Sequence, residues 1–142
     1  MDTEEVIISG IQVKKFVEHK SAAILEKYHV RSVELDILVF LYLKGCDTRT
    51  DIMREKHLSK AHVSKSIDNL KNRGFVLLDE DNEDHRIEHI KLTKQALDIM
   101  QEVVETYDEC RRILFNHITK EEESILKRVL EQMISNLNEA LS

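Results

Sequence analysis

From Ser59 to Gly74 the chain runs SKAHVSKSIDNLKNRG, and its polar side chains are of the kinds that hold nucleic acid. Ser59, Lys60, His62, Ser64 and Lys65 offer hydroxyls, an imidazole and ammonium groups. Short donors and acceptors suit base edges, and ammonium groups suit phosphate oxygens. We therefore assign Ser64 and His62 to base edges, and Lys60, Lys65 and Ser59 to the phosphate backbone. Further on, Arg86 is a guanidinium at the tip of a polar stretch, suited to a minor groove, with Asp84 two residues earlier to orient it. Enzyme chemistry has no comparable signature: there is no glycine-rich phosphate loop, no nucleophile elbow and no distinct paired-carboxylate motif. No enzymatic activity and no cofactor are expected.

These side chains need elements to position them. Val63, Ile67 and Leu70 recur at i, i+4 and i+7, which predicts a helix from about Lys60 to Arg73 with one buried stripe. Lys60, His62, Ser64, Lys65, Ser66 and Asn69 fall on its other sides. Gly74 stops it. Phe75 to Leu78 reads as a strand, Asp79 to Arg86 as a polar tip, and Ile87 to Leu92 as the returning strand. Upstream, Thr50 to His57 forms a short helix that makes a helix-turn-helix with the one after it. The hairpin adds a wing, a shape for reading duplex DNA.

The remaining segments are helical. Residues 3–28 carry Val6, Ile7, Val13, Phe16, Val17, Ile24 and Leu25 at helical spacing. Ser32 is expected to cap a second helix that reaches about Lys44, apolar on most faces and hence central. A fifth helix follows Thr93 to about His117, with Leu97, Met100, Val104, Tyr107 and Leu114 on or near one stripe. Thr119 and Glu122 form a capping box that opens a sixth, with a wide apolar face from Ile125 to Leu141. The fold class is thus mainly α with a small β-wing: one domain over 1–142, with a winged helix-turn-helix lobe at 32–93. Residues 3–28 and 94–141 make a helical dimerisation region, since they carry more apolar surface than a small winged module needs. Two-fold symmetry also matches DNA half-sites.

Charge is distributed unevenly. Arg49 to Arg73 holds seven basic and three acidic residues, a local +4 in a chain of net charge −6. Such a patch on an acidic body is a sufficient electrostatic footprint for a duplex. No apolar run is long enough to cross a bilayer, the first residues lack a secretory pattern, and two distant cysteines do not make a disulfide scaffold. A cytoplasmic location without membrane contact is expected.

The run Asp51 to Phe75, the wing residues Asp84-His85-Arg86, and Leu92-Thr93 six residues after that arginine together resemble the MarR family of bacterial transcription regulators. The resemblance spans essentially the whole chain. It implies a dimeric winged helix-turn-helix protein that binds palindromic promoter DNA and usually represses. Many such proteins release DNA when a small molecule binds or a cysteine is oxidised. Three features depart from the pattern. Ala96 stands where the family often has glycine. Asp79, Glu80, Asp81, Glu83 and Asp84 surround Arg86, the wing's single basic residue, where the family usually has more than one. Residues 3–28 lack the cysteine of the peroxide-sensing branch.

Other candidates carry less. Tyr28, His29 and Tyr107 are candidate lining residues for an apolar effector. Cys46 and Cys110 are read as packed or idle thiols, although Cys110 precedes Arg111-Arg112. His19, Glu102, Glu105, Cys110 and His117 lack the spacing of a metal site, and no metal is expected. The reading is therefore a dimeric, sequence-specific DNA-binding transcriptional regulator with a pseudo-palindromic operator, expected to be a repressor released by a small-molecule effector. The alternative is a winged-helix module that binds another protein through its acidic wing, without specific DNA binding.

Overall fold

Capping and left-handed stops set most of the element boundaries. In the computed structural model, which describes residues 1–45 and 47–142, Asp2 and Glu5 form a capping box at the start of α1 (Thr3–Tyr28). His29 ends that helix at φ 51°, and Val30 N–H closes the turn on Leu25 O at 3.0 Å. α2 (Ser32–Lys44) begins one residue earlier than a Ser32 cap requires. Arg31, not Ser32, holds the cap position; its backbone N–H donates to Glu34 Oε1 at 3.0 Å, the return hydrogen bond of a capping box. Thr48 caps α3 (Arg49–Lys56), and His57 stops it at φ 52°. Ser59 caps α4 (Lys60–Asn72). Histidine tolerates the left-handed region better than most side chains, and His117 uses it too, at φ 64°.

Gly74, at φ 78°, turns the chain from α4 into β1 (Val76–Glu80), which pairs antiparallel with β2 (Glu88–Leu92) in the register Val76 to Leu92 and Glu80 to Glu88. Both strands start one residue later than the sequence pattern suggests, because Phe75 and Ile87 belong to the turns on either side. Thr93 then joins hairpin to helix. Its Oγ1 donates to Gly74 O at 2.7 Å and accepts from Ala96 N–H at 3.3 Å, at the start of α5 (Lys94–Leu114). This explains structurally why Leu-Thr follows the wing. Thr119 and Glu122 complete their capping box and open α6 (Lys120–Leu141).

The chain divides into two compact units, Met1–Tyr107 and Asp108–Ser142. In the first, Ile37, Leu38, Ile52, Val63, Ile67, Leu70, Val76, Ile99 and Met100 are each less than 2% exposed and form the centre of the core. The stripe Val63, Ile67 and Leu70 is buried as its spacing requires, but Ser66, expected on an outward side, is buried too at 5%. A small hydroxyl fits beside that stripe where a longer polar chain would not. On α5 the buried face is Ala96, Ile99, Met100 and Val103, while Leu97 and Val104 are exposed. The single stripe read from sequence therefore mixes two faces. Leu43, at the end of the otherwise central α2, is exposed, as are Ile7, Ile8, Ile11 and Val13 of α1. In the second unit no residue of α6 is buried, and Arg111 Nη2 meets Glu123 Oε2 at 2.6 Å. No helix is long and apolar enough to cross a membrane among the described residues.

Candidate nucleic-acid interface

α4 is anchored by its apolar stripe, which turns Lys60, His62 and Lys65 to solvent and leaves Ser64 partly exposed. Ser59 Oγ accepts the His62 backbone N–H at 3.1 Å, so this hydroxyl holds the helix start as well as lying on its exposed end. Lys60 and Lys65 make no ion pair among the described residues, which leaves both ammonium groups available to an anion. The helix is thus rigid on one side and chemically open on the other.

A cleft of about 590 Å³ runs between α3, α4 and the wing, lined by Lys60, Ser64, Arg86, Arg49, Thr48 and Thr50 among others. It brings together three of the residues assigned from sequence, Lys60, Ser64 and Arg86. It adds the start of α3, which sequence reasoning counted as charge but did not place at a site. The capping signal at Thr48 and Asp51 was there to be read as the start of α3, and it also places the Asp51 carboxylate in the cleft. His62 and Lys65 are on the same helix but do not line the cleft.

The wing is built around paired charges. Arg86 Nε donates to Asp84 Oδ1 at 3.0 Å and Nη2 to Oδ2 at 3.1 Å, a fork-to-fork pair. The Arg86 guanidinium, together with its backbone N–H, holds the Asp84 carboxyl below its ordinary pKa. The Arg86 side chain is still 90% exposed, so orientation by Asp84 leaves it presented to solvent. Asp81 Oδ2 accepts N–H groups from Glu83 and Asp84 at 3.0 and 2.8 Å and shapes the turn. His89, with these N–H groups, lowers the Asp81 pKa to about 2. Several of the wing's acids are therefore structural: Asp81 and Asp84 hold the turn and Asp79 pairs with Lys91 at 2.9 Å.

Other basic residues in the Arg49 to Arg73 patch are engaged. Arg54 pairs with Asp51 at 2.8 Å, and Arg49 approaches Asp68 at 3.7 Å. Arg73 donates from both terminal nitrogens to the backbone carbonyls of Tyr28 and His29, and stacks over Phe75 at 4.9 Å. It ties the end of α4 to the end of α1.

The effector candidates sit at the end of α1 and on α5. Tyr28 and Tyr107 pack partly buried against the core, and Lys27 Nζ lies 5.1 Å from the Tyr28 ring. His29 lines a hollow of about 330 Å³ with Arg31, Glu34, Asn69 and Arg73. Cys110 is buried; Cys46 lies outside the described residues. No three His, Cys, Asp or Glu side chains converge for a metal among the described residues.

A helix-turn-helix whose second helix and wing share one cleft defines the winged helix-turn-helix class. Within it, the fold is that of MarR proteins. The chain matches a MarR protein from Peptoclostridium difficile with a TM-score of 0.81 at 18% identity, covering 99% of this chain and 91% of that one. It also matches the Staphylococcus aureus MepR–DNA complex with a TM-score of 0.63 at 23% identity, over 89% and 95% of the two chains. In sequence it is similar to the uncharacterised HTH-type transcriptional regulator YwhA of Bacillus subtilis, 25% identical over 105 residues, 74% of this chain and 76% of that protein. No family model matches the chain.

Proposed function

We propose that this chain is a DNA-binding transcriptional regulator, not an enzyme, that acts as a homodimer on a pseudo-palindromic operator. The observation that carries this reading is the cleft shared by Lys60 and Ser64 of α4, Arg86 of the wing and Arg49 of α3. The similarity to named transcriptional regulators, and to a fold solved on DNA, supports it. Ser59, Lys60 and Lys65 hold phosphates, Ser64 and His62 read base edges, and Arg86, oriented by Asp84, enters the minor groove. The dimer is built from residues 3–28 and 94–141, whose exposed apolar side chains support it. Two copies of α4 then meet successive major grooves about 34 Å apart.

In this reading the protein represses, and a small-molecule effector binding near Tyr28, His29 and Tyr107 changes the spacing of the two DNA lobes. Simultaneous docking fails, and the avidity of two half-sites is lost. The test is fluorescence anisotropy with the DNA upstream of the protein's own gene at two salt concentrations. Tight, salt-sensitive binding that random DNA does not compete away is the expected result. Binding without preference over random DNA, unchanged after selection from a random duplex library, overturns it. The exposed Glu80 and Glu83 of the wing would then favour a protein-binding module.

A further inference from the structure

His89 stands on β2 at the base of the wing, its side chain 30% exposed. Its Nδ1 lies 2.8 Å from Asp47 Oδ1, in the loop before α3, and its Nε2 lies 2.7 Å from Asp81 Oδ1, at the start of the wing turn. Carboxylates only accept hydrogen bonds, and a neutral imidazole has only one N–H. A neutral ring would therefore set a lone pair against one of the two carboxylates. Two short contacts to two carboxylates call for the imidazolium. The surrounding backbone is arranged for the same closure: Ile90 N–H donates to Asp47 O at 2.7 Å, and Asp81 Oδ2 holds the Glu83 and Asp84 N–H groups. The other charges at this place are Asp79, the cross-strand partner of His89, and Lys91, which is paired with Asp79.

We propose that His89 is a pH-operated clamp: protonated, it holds the wing to the loop ahead of α3, and neutral, it lets the wing go. Arg86 shares the turn that Asp81 organises, and it lines the cleft with residues of the segment that Asp47 leads into. Its presentation therefore follows the state of His89. The consequence for DNA rests on the regulator reading; the clamp does not.

The sign follows from the contacts. Asp81 first, then Asp47, raises the His89 pKa above its ordinary 6.5. The clamp's contribution is fully present below that ordinary value and is lost as pH rises through the raised one. The wing is held on the acid side and freed on the alkaline side.

His85, 3.1 Å from Glu80, and His62 on α4 are further imidazoles near the wing and the recognition helix, so the test must resolve each ring. Nitrogen-15 NMR of the imidazoles should find His89 mostly protonated on both nitrogens at pH 6.5, its ordinary pKa, and losing that proton only at higher pH. As it does so, amide protection at Asp84 and Ile90, corrected for intrinsic exchange, should fall about threefold or more, the scale of an exposed ion pair. Protection in α4 should stay constant. His89→Gln, which keeps a donor but not the charge, should show the lower protection at every pH; His85→Gln should behave as wild type. A neutral His89 at that pH, or wing protection that ignores its titration, overturns the clamp.

A second arm measures anisotropy with a mixed-sequence duplex at about pH 6 and about pH 8. Any acid-side gain in affinity should shrink in His89→Gln, with His62→Gln as the control for the recognition helix. If no duplex binds at all while the NMR result holds, the regulator reading fails and the clamp stands. If the duplex binds but the gain is the same in His89→Gln, the link from clamp to cleft is overturned.

Discussion

Lys60 and Lys65 differ from the other basic residues of their patch in what they have left to give. Arg54 and Arg73 spend their guanidinium groups on Asp51 and on two backbone carbonyls. The free ammonium groups should dominate the electrostatics of binding. Lys65→Ala should weaken binding to every duplex alike and lower the salt slope by about one. Ser64→Ala and His62→Ala should instead relax sequence preference, by about 1–3 kcal/mol at the base concerned, as competition between operator variants would show. If all three variants bind every duplex like wild type, α4 is not the reading helix. Ile67, fully buried on the opposite stripe, tests the scaffold: Ile67→Ala should cost about 2–5 kcal/mol in denaturant unfolding, the range for emptying a core site.

At the scale of elements, Arg73 is the link to watch. It joins the ends of α1 and α4 through the Tyr28 and His29 carbonyls, next to the residues proposed to meet an effector. Arg73→Ala should lower stability by about 1 kcal/mol, the net value of a charged hydrogen bond after solvent exposure is taken into account. It should also raise amide exchange at Val30 and at the end of α4 more than in the middle of α2. An unchanged exchange pattern would mean that the two helix ends are held independently. In the proposed function, the wing's acids serve a DNA-facing element. Asp81 and Asp84 shape the turn and aim Arg86, so their charges are partly neutralised within the element. Glu80, Glu83 and Glu88 remain exposed and set the repulsion that a duplex must tolerate.

For the molecule as a whole, the question is what covers the apolar surface. Leu130, Ile134 and Leu137 of α6 are each about half exposed, and Ile7, Ile8 and Ile11 of α1 are similar. Apolar exposure of that extent on two long helices favours self-association. Sedimentation should give a dimer. Leu130→Glu combined with Leu137→Glu should give a folded monomer, because neither side chain belongs to the core. Operator affinity should then fall about a hundredfold or more as the second half-site is lost. A monomeric wild-type protein would remove the geometric basis for a palindromic operator.

Much of this was legible in the sequence, for local reasons. Val63, Ile67 and Leu70 declared a helix and its buried side, and Thr119 with Glu122 declared a helix start, because both signals act within one or two turns. The winged helix-turn-helix order followed from such signals in succession. Ser32 and Ser66 depart from the sequence reading because the helix begins one residue earlier, with the Arg31 N–H held by Glu34, and because whether a small hydroxyl is buried depends on which elements pack over it. Only the tertiary structure could show that Arg86 shares a cleft with Lys60 and Ser64, that Arg73 serves α1, or that His89 lies between Asp47 and Asp81. Periodicity sets which face of an element is buried. Which distant side chains then meet is decided by how the buried faces pack, and ion pairs depend on separations of a few ångströms that no spacing along the chain specifies.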